Sequence, residues 1–204
     1  MMGHDMTMAH DSHIEHGANM MLHMKWTDLR PASDQDKRKA AEIVETLQAS
    51  LAKYKDYHAA EAQGFKPFHP ELKTPIVHFT RNWNAVKAAF LFDPAEPTSL
   101  LYKHTPDGGY ELIGAMYTAP KRTSEDKLNE RVPLSVARWH QHVNICFPPK
   151  GTGATADWTK FGPGGSIAAQ AACEATNGRW VPVLFGWMVH VYPWEKNPQE
   201  VWAH

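Results

Sequence analysis

The chain has 204 residues, of which 43% are apolar and 21% charged, and its net charge is −1 with histidine neutral. That composition fits one globular domain with a sizeable core. It argues against a nucleic-acid partner, since no basic excess exists to neutralise a phosphate backbone. No apolar run approaches the roughly 20 residues that a membrane helix requires. The anomalies are thirteen histidines and eight tryptophans. Imidazole carries a lone pair near neutral pH, so the histidine excess points to a metal.

Residues 1–30 read as a flexible tail, the mature N-terminus left after removal of a signal peptide. It holds His4, His10, His13, His16 and His23, and seven of the nine methionines fall within the first 24 residues. Thioether sulfur suits Cu(I), and imidazole suits Cu(II) and Zn(II). The mixture is what a copper-collecting segment needs, and the alternative is a disordered polar tail with no role.

Residues 31–204 form the predicted metal-binding domain. Ser33 followed by Asp36 reads as a capping box. Ala40, Ile43, Val44, Leu47, Leu51 and Tyr54 then mark one helical face. The pattern predicts one long helix ending at Gln63–Gly64, with His58 and Glu61 facing inward as acid–base groups or partners of a metal ligand. Beyond Gly64, prolines divide the chain into short β-type runs: 76–80, 99–104 and 110–118. Pro106-Asp107-Gly108-Gly109 predicts a hairpin between the last two. Residues 121–131 read as a surface loop or short helix. Two strongly patterned β segments follow, at 134–147 and 181–193, separated by a Gly/Pro loop at 148–165 and a short helix capped by Ser166. The fold class is α+β: a long N-terminal helix packed on an antiparallel β-sheet or a small cupin-like barrel.

The metal candidates lie on these strands. Alternate residues share a strand face, so His140 and His142 point the same way, with Asn144, a candidate acid–base group or partner of a metal ligand, and Cys146 further along it. His190 sits between Val189 and Val191 and shares its face with Gly186 and Met188, and His78 lies mid-strand. Three imidazoles with an open position describe a catalytic site, and four describe a closed one. The expected cofactor is one transition-metal ion, copper favoured over zinc. Glu111 fits a solvated strand face. Cys146 and Cys173 read as a disulfide worth about 3.5 kcal/mol, with free thiols or metal ligation as the alternatives. Trp139, Trp158, Trp180, Trp187, Trp194 and Trp202 crowd the last third, as core or as stacking platforms.

Three functions follow as expectations. One is an exported, periplasmic or secreted mononuclear metalloenzyme, oxidative with copper and hydrolytic with zinc. The second is a non-catalytic copper-binding or delivery protein. The third is a carbohydrate-binding module.

Several motifs taken together resemble a group of poorly characterised, mostly exported bacterial proteins. They are Tyr54-Lys-Asp56, Ala60 and Gly64-Phe65; His78 to Asn82 (HFTRN); Phe92-Asp-Pro94, Pro97 and Leu100-Leu-Tyr102; and Leu112-Ile-Gly114-Ala-Met-Tyr117. The resemblance spans roughly residues 50–195 and implies export and a shared fold, with no activity attached. A more distant similarity is to cupins, although the glutamate that usually follows their His-x-His is missing here.

Overall fold

A computed structural model describes residues 21–70 and 74–203. The tail histidines His4, His10, His13 and His16 lie outside the described residues. The chain divides into two compact units: residues 1–26 with 140–185, and 27–139 with 186–204. A single domain from residue 31 was expected. His140–Phe147 falls in the same unit as Met24–Trp26.

The larger unit starts with α1 (Asp34–Leu51). The capping box is present as the sequence implies: the Ser33 hydroxyl accepts from the Asp36 amide, and the Asp36 carboxylate accepts from the Ser33 amide. Ala40, Ile43, Leu47 and Leu51 are buried, so the predicted stripe is the packed face. The helix does not run unbroken to Gln63. A 3₁₀ turn (Ala52–Lys55) follows, and Asp56 turns extended before capping α2 (Tyr57–Ala62) through its carboxylate and the His58 amide. That break rotates His58 and Glu61 away from the core. Gly64, at φ 86°, closes α2: its amide bonds the Glu61 carbonyl and the Phe65 amide bonds that of Ala60. The Phe65 ring is thereby driven edge-on against Tyr54.

The sheet of this unit comprises β2 (Lys66–Pro67), β3 (Ile76–Thr80), β4 (Ser99–His104), β5 (Tyr110–Ala119) and β8 (Trp187–Val191), antiparallel in the order β8-β5-β4-β3-β2. The predicted hairpin joins β4 to β5, with Gly108 at φ 84°. Helices α3 (Asn82–Ala88) and α4 (Glu125–Arg131) lie in the connections. One sheet face, with Val77, Phe79, Leu100, Tyr102, Ala115, Tyr117, Val189 and Val191, joins Ile43, Leu47 and Leu51 of α1 in the main core. The opposite face carries a smaller cluster of Leu101, Met116 and Met188.

The smaller unit is built on β1 (Met24–Trp26), β6 (His140–Phe147) and β7 (Arg179–Val183), with β6 central and both pairings antiparallel. Met24–Trp26 therefore belongs to the fold rather than to a tail ending at residue 30. The segment 181–193 splits into β7 and β8 around Gly186. The helix α5 (Gln170–Ala175) starts at Ala169 without a side-chain cap, so Ser166 does not serve as one. Cys146 and Cys173 are bonded to each other. The α+β class holds. Neither unit closes its strands into a barrel, so the cupin-like form is not what the structure displays.

Candidate functional site

In the larger unit, His78 on β3 and His190 on β8 approach with Nε2 atoms 3.4 Å apart and ring centroids 5.5 Å apart. Two strands, β4 and β5, lie between them. Three strand spacings amount to about 14 Å on a flat sheet, so the sheet must coil to bring the rings together. Two local features assist. The ladder slips between Leu101 and Tyr102, where Ile113 is the extra residue of a bulge, and bulges increase local twist. Gly114 presses against the Val191 carbonyl where any Cβ would collide with it. Both imidazoles are half-buried.

Among the described residues, the neighbours of this pair on the sheet face include apolar and hydroxyl side chains. Leu101 is the strand partner of His78, and Met116 is that of His190. Met188 precedes His190 by two residues and shares its face. Thr80 bonds Ser99 at 2.8 Å, and Thr98 bonds Thr118 at 2.8 Å.

In the smaller unit, His140 and His142 sit side by side on β6 with ring centroids 5.7 Å apart and planes nearly perpendicular. His140 is buried and tilted against Trp26 at 5.1 Å. His142 stands opposite Met24 in the β1–β6 register and edge-on to Phe185 at 6.5 Å. Asn144 departs from the expected alternation. Its φ of 58° breaks the strand geometry, and its side-chain amide donates to the Leu22 carbonyl at 3.4 Å. The β6–β7 register nevertheless runs on unshifted through Cys146, which is bonded to Cys173.

Other expected residues are placed differently. His58 and Glu61 form a surface pair at 3.1 Å with side chains 68% and 46% exposed, not an inward acid–base couple. His23 is fully buried; its Nε2 donates to the Gly165 carbonyl at 2.7 Å, and its Nδ1 lies 3.3 Å from that of Val143. As placed, both ring nitrogens lie against backbone carbonyls of the smaller unit. Glu111 pairs with Lys103 on the solvated face. Trp139 and Trp187 are core residues, whereas Trp158 and Trp194 are exposed. Lys55 lies over the Trp194 ring.

Among the described residues, no group of three or more His, Cys, Asp or Glu side chains is placed to hold a metal ion. The histidines come together as two pairs. Sequence reasoning overlooked Met116. The signal was present: Gly114, Met116 and Thr118 alternate along β5, and Met116 and Met188 are the only methionines beyond residue 24. A cavity of about 190 Å³ in the larger unit is lined by Asn84, Lys87, Phe90, Leu91, Phe92 and Tyr117, away from any histidine. The chain matches no family model, no curated protein and no solved structure.

Proposed function

We propose that this chain is an exported copper-binding protein whose folded part holds one metal ion through His78 and His190. The observation that carries the reading is the 3.4 Å separation of their Nε2 atoms. Two imidazoles bound to one ion at 2.0–2.1 Å with a tetrahedral angle stand about 3.3–3.4 Å apart. Without metal the same separation is that of a long N–H···N hydrogen bond, one ring donating and the other accepting, so the metal responses below decide between the two. The pair thus has the spacing of two ligands of one ion.

Export is supported by the Cys146–Cys173 bond, because disulfides persist in oxidising compartments. No helix among the described residues is long and apolar enough to cross a membrane. Copper is supported by the His- and Met-rich start of the chain and by the position of copper above zinc in the affinity order for nitrogen sites. Catalysis at three histidines was the first expectation from the sequence. Pairs favour carriage of the ion over turnover, and the binding and delivery reading is the one adopted.

The test is thermal unfolding of the full chain with and without Cu(II), Cu(I) or Zn(II). A ligand that binds only the folded state raises Tm, whereas binding to a segment that remains available after unfolding does not. Metal at the histidine pair should raise Tm, and His78→Gln with His190→Gln should remove most of the rise. An unchanged Tm with all three ions, or a full rise in the double variant, overturns the reading.

A further inference from the structure

The first 24 residues account for seven of the nine methionines. The remaining two, Met116 and Met188, occupy the same sheet face as His78 and His190. Met116 is the direct cross-strand partner of His190, which places their Cβ atoms about 5 Å apart. Met188 lies two residues before His190 on β8, on the same side of the strand. Both methionines are more than nine-tenths buried, at 8% and 6% exposure, and they belong to one cluster with Leu101, the strand partner of His78. An apolar gap needs only aliphatic or aromatic side chains, and valine, leucine, alanine, phenylalanine and tyrosine fill the other face of this sheet without a methionine. Two thioethers beside two converging imidazoles are a distinct chemistry.

We propose that Met116 and Met188 complete the ligand set of the histidine pair, and that the site is built for Cu(I). The proposal rests on the reading of His78 and His190 as metal ligands and adds the oxidation state and the selectivity. Thioether sulfur is a soft, uncharged donor that suits Cu(I), whereas zinc sites draw on thiolate, imidazole and carboxylate, and a blue-copper centre takes methionine only as a weak, long ligand. Methionine has three rotatable bonds, so its sulfur can swing onto an ion without moving the strand. Two neutral imidazoles and two neutral thioethers bring no negative charge. A ligand set that carries no charge of its own offsets the desolvation of a monovalent ion more nearly than that of a divalent one. A monovalent, soft ion carries the smaller penalty.

The experiment uses the full chain and reads the Tm rise produced by Cu(I), kept reduced under anaerobic conditions, and by Zn(II), each against the same variant without metal. Leucine is close to methionine in volume, and buried exchanges of that kind usually cost less than about 1.5 kcal/mol. Met116→Leu with Met188→Leu should therefore fold, and its metal-free melting verifies that directly. In this variant the apparent Kd for Cu(I), extracted from the concentration dependence of Tm, should rise about tenfold or more. The Zn(II) response should stay within about twofold of wild type, because zinc draws on the imidazoles alone. An unaltered Cu(I) response in the leucine variant overturns the thioether assignment and leaves the histidine reading standing. Loss of the Cu(I) and Zn(II) responses in equal measure overturns the selectivity. An unaltered response to both ions in His78→Gln with His190→Gln overturns the histidine reading itself. Each methionine substituted singly gives a further check: if both sulfurs ligate, each single variant must weaken Cu(I) on its own.

Discussion

Gly178 lies so close to the Cys146–Cys173 bond that a Cβ on it would stand 2.6 Å from the Sγ of Cys146 and 2.8 Å from that of Cys173. The chain reverses here out of α5, with Asn177 at φ 54°, and enters β7 directly over the two sulfurs. The disulfide and the glycine form one packing unit. Gly178→Ala should destabilise the protein by about 1–3 kcal/mol through overpacking. In a Cys146→Ser, Cys173→Ser background the same substitution should cost clearly less, since the side chains are then free to separate. Chemical denaturation of the four proteins closes that cycle, and an equal cost in both backgrounds rules out the coupling.

The bond itself spans a sequence separation of 27. The loop-entropy estimate for such a span is about 3.5 kcal/mol. Denatured, unreduced protein should show no free thiol on titration. Reduction should lower the unfolding free energy from chemical denaturation by an amount of that order, because the cross-link limits the unfolded chain of the smaller unit.

The start of α1 links stability to pH through Ser33 and Asp36. The Ser33 hydroxyl and amide contacts hold the Asp36 carboxyl below the usual carboxylate range. A depressed folded value means that the carboxylate favours the folded state above the unfolded value, and that this contribution is lost as pH falls through the folded one. Ser33→Ala should cost about 1 kcal/mol at neutral pH. It should also move the Asp36 titration upward when followed by NMR. A titration unchanged by the substitution would show that the box does not form in solution.

Local chemistry was legible wherever it was settled by near neighbours. The Ser33–Asp36 box, the stripe Ala40, Ile43, Leu47 and Leu51, the helix stop at Gly64 and the hairpin at Gly108 all depend on a few adjacent residues. The break at Asp56 was not legible, because the apolar spacing runs on smoothly through Tyr54 while a 3₁₀ turn changes the phase. That change alone carries His58 and Glu61 to the surface. The left-handed turn at Asn144 was likewise hidden inside a run that alternates well. For the candidate site, His78 and His190 could each be assigned to a strand face. Their meeting depends on the strand order β8-β5-β4-β3 and on coiling around the bulge at Ile113. Those are long-range features that no local period encodes. Met116 escaped notice for the same reason: its neighbour His190 is 74 positions away and becomes adjacent only through the β5–β8 register.

Alkaline pH should reveal the buried tyrosines of the larger unit. The Tyr102 hydroxyl donates to the Tyr54 carbonyl at 2.6 Å, and that of Tyr117 donates to the Pro94 carbonyl at 2.6 Å. Burial pushes the ionisation of Tyr102 and Tyr117 well above the ordinary phenol value, and it raises that of Tyr192 as well. The sign follows from linkage. A folded value above the unfolded one means that the stabilising contribution is complete below the unfolded value of about 10 and declines as pH rises beyond it. The unfolded chain gains phenolates that the folded chain refuses. Three of the six tyrosines should therefore ionise late, in a step that coincides with loss of structure, when tyrosinate absorbance and circular dichroism are followed together. Tyr102→Phe removes one late phenol and leaves the Tyr54 carbonyl without that donor at the break between α1 and α2. It should cost about 1–3 kcal/mol at neutral pH and reduce the amplitude of the late step. If all six phenols titrate before the fold is lost, the packing of Tyr102 against Tyr54 is looser than the structure shows.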